Sequence, residues 1–242
     1  MNEIVKHGSK STVLLPELKI NCMGYDRSVL YLDSKSIYRL LISKYIKLPK
    51  GLLNWCLELE LTDIEIQTAL IFAHNSCMNI FDIVFQYKIS TNILPTNDYL
   101  KRYRVRDNNT CSKCDLEFDS ICHALYDCEK VVPIISNIFS FLVNNCEKFR
   151  GISMIDYLFG VQGRENDGLN HILLELKKFI FYDWNPEYSI ESLCELFIIR
   201  IIKLIIKEKN IYLKNNNTDL FFMKWNDFKF IYDFRGPDKL II

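Results

Sequence analysis

The chain is poor in glycine and proline, with 8 and 6 among 242 residues, which excludes collagen-like and Gly/Pro-rich low-complexity architectures. It has no net charge, because 30 Lys and Arg are balanced by 30 Asp and Glu. A surface that is basic throughout is therefore excluded, and any affinity for polyanions has to come from a local patch. There is no internal repeat and no sustained heptad pattern, which removes solenoids and coiled coils. The opening Met1-Asn2-Glu3-Ile4-Val5-Lys6-His7 lacks the apolar core of a secretory signal. The most apolar stretch, residues 193–206, is interrupted by Glu195, Arg200 and Lys203, and it falls short of the ~20 apolar residues that a spanning helix needs. The expectation is a soluble, intracellular protein of cytoplasm or nucleus with no membrane partner. The one low-complexity run, Asn215-Asn216-Asn217, reads as a loop.

What is present is ordinary globular material, 49% apolar and 25% charged, long enough for one large domain or two small lobes with a real core. Cysteine is the exception. Nine is a high count, and an odd one, so any disulfide scheme leaves a thiol over. Without a secretory signal, metal ligation is the better use for clustered thiols.

Capping residues and apolar periodicity predict a mainly α fold, helical bundle-like lobes with a small irregular insert between helices. Residues 1–33 read as a poorly defined arm, where Thr12 to Pro16 suits a short strand or an extended segment. An N-terminal helical lobe covers 34–106. In it Ser34 caps a helix carrying Ile37, Tyr38, Leu40, Leu41 and Ile42, which Pro49-Lys50-Gly51 ends. Thr62-Asp63 opens the next, with Ile64, Ile66, Ala69, Leu70 and Phe72. Ile80, Ile83, Val84 and Tyr87 line one face of a third, and Thr96 caps a short one whose Leu100 and Tyr103 point inward. Residues 107–130, rich in turns and cysteine, are the irregular insert, expected to form a small CCHC zinc knuckle. The C-terminal lobe, 131–242, opens with an apolar helix over 131–143 that tolerates Pro133 only in its first turn. A loop over 160–168 follows, then a helix over 171–183 with Leu173, Leu174, Leu176, Phe179 and Ile180 inward. Ser189 caps the longest helix, to about Lys209, with a narrow polar strip that suits burial or a partner surface. Glu191 and Glu195 near its start and Lys203, Lys207 and Lys209 near its end suit its macrodipole. Phe221, Phe222, Trp225, Phe228 and Phe230 form an aromatic tail expected to fold back on the core.

One motif carries chemistry. Cys111-Ser112-Lys113-Cys114 is followed by His123 and then Cys128. Two cysteines separated by two residues can turn their thiolates toward one point, and a His and a Cys farther on complete a tetrahedron of three sulfurs and one nitrogen, a donor set for Zn2+. Hydrophilic neighbours (Asp107, Asn108, Asn109, Ser112, Lys113, Asp115, Glu117, Asp119) argue against the alternative of four buried core residues. On an unbroken α-helix His123 and Cys128 would stand about 140° apart, so the chain has to bend near Asp127-Cys128. Cys122 reads as packing. Cys22, Cys56, Cys77, Cys146 and Cys194 have no partner at metal spacing and read as core thiols, and His7, His74 and His171 as surface or internally satisfied histidines.

Around this motif the sequence resembles a known region. Phe85-Gln86-Tyr87-Lys88-Ile89, Ile93-Leu94-Pro95-Thr96-Asn97, the pair Cys111 and Cys114, and His123-Ala124-Leu125-Tyr126-Asp127-Cys128 look like the zinc-binding region that follows the polymerase in non-LTR (LINE-type) retrotransposon reverse transcriptases. Lys35 to Leu41 resembles that family's upstream helix, Leu173 to Ile180 its downstream one, and Met223-Lys224-Trp225 its terminal aromatic-lysine-tryptophan pattern. The resemblance implies a zinc-binding segment that helps hold template RNA or target DNA, beside a reverse transcriptase domain. It implies no catalysis here. A polymerase of this type needs adjacent aspartates for its Mg2+ ions, and no Asp-Asp pair occurs; the one Pro-Asp, Pro237-Asp238, lies too near Ile242 to open the nuclease that some relatives carry. The expectation is a truncated or stand-alone copy of the segment. A nucleobase deaminase is excluded by order, since Cys111 and Cys114 precede the histidine and His123 is followed by Ala124-Leu125.

Lys101, Arg102, Arg104 and Arg106 cluster before the motif, interleaved with Tyr99 and Tyr103. Such cations neutralise phosphates, and such rings stack on unpaired bases; a solvated helix face with core tyrosines is the alternative. A second basic run, Arg200, Lys203, Lys207 and Lys209, reads as a solvated strip. The competing reading of the whole is a zinc-stapled interaction module, without nucleic-acid affinity, whose apolar long helix docks a missing polymerase domain.

Overall fold

A computed structural model of the chain describes residues 19–22, 25–28, 49–116 and 118–232. The expectations for His7, the Thr12–Pro16 segment, the Cys22 side chain, the Ser34-capped helix and the Pro237-Asp238 tail lie outside what is described. The chain divides into two units, 1–48 and 49–242. In the first, β1 (Lys19–Cys22) pairs antiparallel with β2 (Tyr25–Ser28), Lys19 opposite Ser28 and Cys22 opposite Tyr25.

The second unit is helical, as expected. It runs through α1 (Lys50–Leu59), α2 (Asp63–Ser76), α3 (Ile80–Ser90), α4 (Asn97–Arg102), α5 (Val132–Asn145), α6 (Met154–Phe159), α7 (Asp167–Lys178), α8 (Ile190–Lys214), α9 (Thr218–Trp225) and α10 (Lys229–Tyr232). Side-chain caps open half of these ten helices. Thr62 and Glu65 form a reciprocal capping box on α2, Thr96 accepts from Tyr99 on α4, and Ser189 accepts from Ser192 on α8. Pro133 lies in the first turn of α5. One apolar cluster, reaching from Trp55 to Ile231, packs α1–α3 against α6–α10. Phe221, Trp225 and Phe228 fold into it as expected, while Phe222 stays exposed.

Helix α1 was missed because Pro49-Lys50-Gly51 reads as a terminator. The structure makes Pro49 the residue before the helix and puts Gly51 in its first turn. The glycine is there for a close approach: a Cβ on it would stand 1.7 Å from Thr91 O. Alanine would gain ~1 kcal/mol of helix propensity, but the clash is with backbone and forces α1 away from the end of α3. Gly51→Ala should therefore cost at least about 1–3 kcal/mol net, read as a lower urea midpoint; an unchanged or raised midpoint would contradict this contact.

The face of α3 is also reversed. Of the four residues expected on one face, Ile80, Val84 and Tyr87 are exposed and only Ile83 is half-buried against the core, while the helix buries Asp82, Phe85, Gln86, Ile89 and Ser90. The cause is a polar interior that apolar periodicity does not register. Gln86 Oε1 accepts from Lys177 Nζ at 2.7 Å and Gln86 Nε2 donates to Leu158 O at 2.8 Å. Lys178 donates to Asp82 and Glu175. Lys177 is fully buried, and that burial holds its amine well below the usual lysine range. Arg200, expected in a solvated strip, instead bonds Glu175 and Asp183, whereas Lys203, Lys207 and Lys209 are exposed.

Candidate metal centre

Cys111 and Cys114 sit in a turn closed by an isolated antiparallel bridge between Thr110 and Phe118. Asp115 N–H donates to Cys111 O at 2.9 Å, and Lys113 N–H donates to Cys111 Sγ at 3.4 Å. Asp115 takes a left-handed φ of 59°, which aspartate adopts more readily than most residues.

His123 and Cys128 are brought together by a wider turn, and the chain breaks at Cys128, where the bend was expected. His123–Asp127 is π-helical, and Cys128 N–H donates to His123 O at 3.0 Å. An i→i+5 turn holds about one residue more than an α-turn, so the fifth residue returns beneath the first. Ser120 Oγ accepts from His123 N–H at 3.1 Å at the start of this turn. Cys128 then leaves helical geometry, and its carbonyl accepts from Val131 at 2.8 Å and Val132 at 2.9 Å, opening α5.

All four side chains are buried, and their donor atoms lie within 4.8 Å of one another. Cys111 Sγ is 3.9 Å from Cys128 Sγ, and Cys114 Sγ is 3.3 Å from His123 Nε2. With metal–sulfur and metal–nitrogen bonds of about 2.3 and 2.0 Å, the edges of a tetrahedron are about 3.8 Å between sulfurs and about 3.5 Å from sulfur to nitrogen. The observed edges fit, and 3.9 Å is far too long for a disulfide. Burial pushes the Cys111 thiol up to about 12 and raises Cys128 as well; a divalent cation among the sulfurs reverses that preference. This cluster is able to hold a metal ion. Cys122, half-buried beside it, packs against the core as expected.

The basic flank is fastened to this centre. Asp119 Oδ2 accepts from Asn97 N–H at 2.7 Å, Asn97 Nδ2 donates to Thr110 O at 2.7 Å, and Arg106 Nη1 donates to Asn97 Oδ1 at 2.7 Å. Lys101, Arg102, Arg104 and Arg106 are all exposed. Arg102 pairs with Asp98 at 3.0 Å, and Lys101 reaches Asn109 at 3.3 Å. Arg104 ends α4 at a left-handed φ of 59°, with Val105 N–H bonded to Leu100 O at 2.9 Å, a place usually taken by glycine. Tyr103 does not point inward. It is 65% exposed, its ring lying on Tyr99 at a centroid distance of 4.6 Å, while Leu100 is half-buried.

Cys56, Cys146 and Cys194 are half-buried and His74 is exposed. Sequence reasoning missed a second buried group, Cys77, Asp82 and His171, whose donor atoms also lie within 4.8 Å of one another. No spacing rule finds it, since its members come from the ends of α2, α3 and α7. No helix among the described residues is long and apolar enough to cross a membrane. No protein-family model, curated protein or solved structure matches the chain.

Proposed function

We propose that this chain is a zinc-stapled, non-catalytic module that binds single-stranded RNA or DNA or a template–primer, a counterpart of the region that follows the polymerase in LINE-type reverse transcriptases. The observation that carries the reading is the Asn97 junction, which ties the Cys/His cluster to four exposed cations beside the tilted ring pair of half-buried Tyr99 and exposed Tyr103. Three sulfurs and one nitrogen suit zinc, and four protein ligands leave no position for an activated water. The metal therefore holds a binding surface and performs no reaction. A backbone held on both sides loses less entropy on binding, which makes a small cluster useful.

The test is salt-dependent binding to labelled single strands. Four phosphate contacts give a slope of log K against log salt of about −0.7 each, roughly −3 together. Arg102→Glu with Arg104→Glu should weaken every sequence alike, because phosphate contacts carry no base information. Arg104→Gly is the cleaner variant: it relieves the left-handed backbone while removing one cation, so stability should hold or rise as affinity falls. Tyr103→Ala should cost about 1–3 kcal/mol of affinity if its exposed ring stacks on a base. Unchanged affinity in the double Glu variant at low salt would reduce the cluster to an ordinary solvated face.

A second reading is favoured by α8, which leaves Leu196, Ile199, Ile206 and Leu213 exposed at spacings that share one face. An apolar stripe of that kind suits a docked protein domain, here a reverse transcriptase domain. Insolubility or self-association relieved by the polymerase domain, together with salt-independent failure to bind strands, would select it.

A further inference from the structure

We propose a second metal site, built from Cys77, Asp82 and His171, that takes a zinc-class divalent cation. Cys77 caps the end of α2, Asp82 lies in the first turn of α3, and His171 projects from α7. All three are buried. Three features beyond proximity single them out.

His171 Nε2 is buried and has no hydrogen-bond partner among the described residues. Leaving a buried nitrogen unsatisfied costs about 1–3 kcal/mol, yet here it faces Asp82 Oδ2 at 3.8 Å and the Cys77 sulfur within 4.8 Å. The other ring nitrogen, Nδ1, lies 3.3 Å from Glu208 Oε1 on α8. Burial disfavours a charged ring, but Cys77 and Asp82 hold the proton on it; a metal would displace that proton from Nε2, and the carboxylate on Nδ1 fixes the tautomer that leaves the Nε2 lone pair to the metal. Lys224 Nζ also approaches Nδ1 at 2.9 Å, but its protons are used by both Glu208 oxygens and by Ser76 O, so Nδ1–H is free to donate to Glu208.

Asp82 is arranged in the same way. Lys178 holds Oδ1, and Oδ2 is the oxygen turned toward the imidazole. Bonds of about 2.0–2.3 Å to nitrogen, oxygen and sulfur give tetrahedral edges of about 3.3–3.7 Å. The 3.8 Å edge is already of that size, and the longest separation needs a contraction of about 1 Å. Thiolate, carboxylate and imidazole together suit zinc better than a hard cation, and the two anionic ligands match a divalent charge. Three protein ligands leave a fourth position for water. The cation would pin the junction of α2 and α3 to α7.

Metal counting on the full chain tests this. Purified protein is titrated with buffered Zn2+, and with Co2+ for its visible spectrum. The wild type should hold two ions per chain, Cys114→Ser one and Cys77→Ser one. In Cys77→Ser the retained Co2+ should show strong sulfur charge-transfer bands from three thiolates; in Cys114→Ser, weak bands from one. Circular dichroism checks that each variant folds, and Cys77→Ala repeats the test should the serine be poorly accommodated. A wild type that saturates at one ion, unchanged in Cys77→Ser, would overturn the second site and leave the first intact. One ion that survives Cys114→Ser and vanishes in Cys77→Ser would do the reverse.

Discussion

Cys114→Ser should leave the chain with one zinc fewer than the wild type and should loosen residues 107–131 in hydrogen exchange. Its sulfur stands 3.3 Å from His123 Nε2 and shares a buried site with two other sulfurs. Serine oxygen is a poor substitute for a thiolate in a sulfur-rich zinc site. Among the described residues the turn that presents it is tied down by the Thr110–Phe118 bridge, the Asn97 bonds to Thr110 and Asp119, and Lys113 Nζ on Ala124 O at 2.9 Å, while Leu116 and Phe118 are exposed. Zinc binding in such small elements is equivalent to folding free energy, about 10–16 kcal/mol in isolated finger peptides, so even a fraction of that dominates the local stability. The damage should spread to Lys101–Arg106, because Asn97 bonds both Thr110, next to Cys111, and Arg106. Strand binding should therefore weaken in Cys114→Ser although no phosphate contact has been removed. Full zinc occupancy with unchanged exchange would sink the assignment of this ligand.

The parts legible in the sequence are those with short-range causes. Thr62, Thr96 and Ser189 announce their helices because a cap acts over three residues. Cys111 and Cys114 announce a site able to hold a metal because their convergence is a property of one turn. Even so, the link from His123 to Cys128 was legible only as a need, and its solution, a π-turn, depends on backbone bonding that residue types do not display. The failures are long-range. Gly51 looks like a helix stop until Thr91 is seen against it. The exposed side of α3 looks like its core side because Asp82 and Gln86 satisfy their polarity on Lys178 and Lys177, more than ninety residues away. Tyr103 keeps the helical phase of Leu100 but finds a partner in Tyr99 on the surface. His171 has no local feature to separate a core histidine from a ligand.

Glu208→Ala should be among the most destabilising single changes in the molecule, at about 3–5 kcal/mol, the usual cost of breaking a buried pair from one side. Both Glu208 oxygens accept from Lys224 Nζ, at 2.9 and 2.8 Å, and Oε2 also accepts from Trp225 Nε1 at 2.7 Å. The side chains of the pair are 3% and 6% exposed, so water cannot replace what is lost. Burial alone would raise the Glu208 carboxyl, but the His171 hydrogen bond and the Lys224 charge outweigh it and hold the group at about 2. Truncation leaves a buried ammonium against the Trp225 ring, 4.8 Å from its centroid, with Ser76 O and His171 Nδ1 in contact and the Asp167 carboxylate its remaining nearby countercharge among the described residues. A cation on an aromatic face recovers about 0.5–2 kcal/mol, less than the loss. Glu208→Leu combined with Lys224→Met removes both charges and keeps apolar volume, and such exchanges are often neutral. The unsatisfied Trp225 N–H then costs about 1–3 kcal/mol, so the double variant should be more stable than Glu208→Ala. Urea denaturation at neutral pH of both single variants and the double gives the coupling energy directly. If Glu208→Ala costs under about 1 kcal/mol, or if the two single costs simply add, then α8 and α9 are joined by their apolar stripe alone and the buried pair contributes nothing specific.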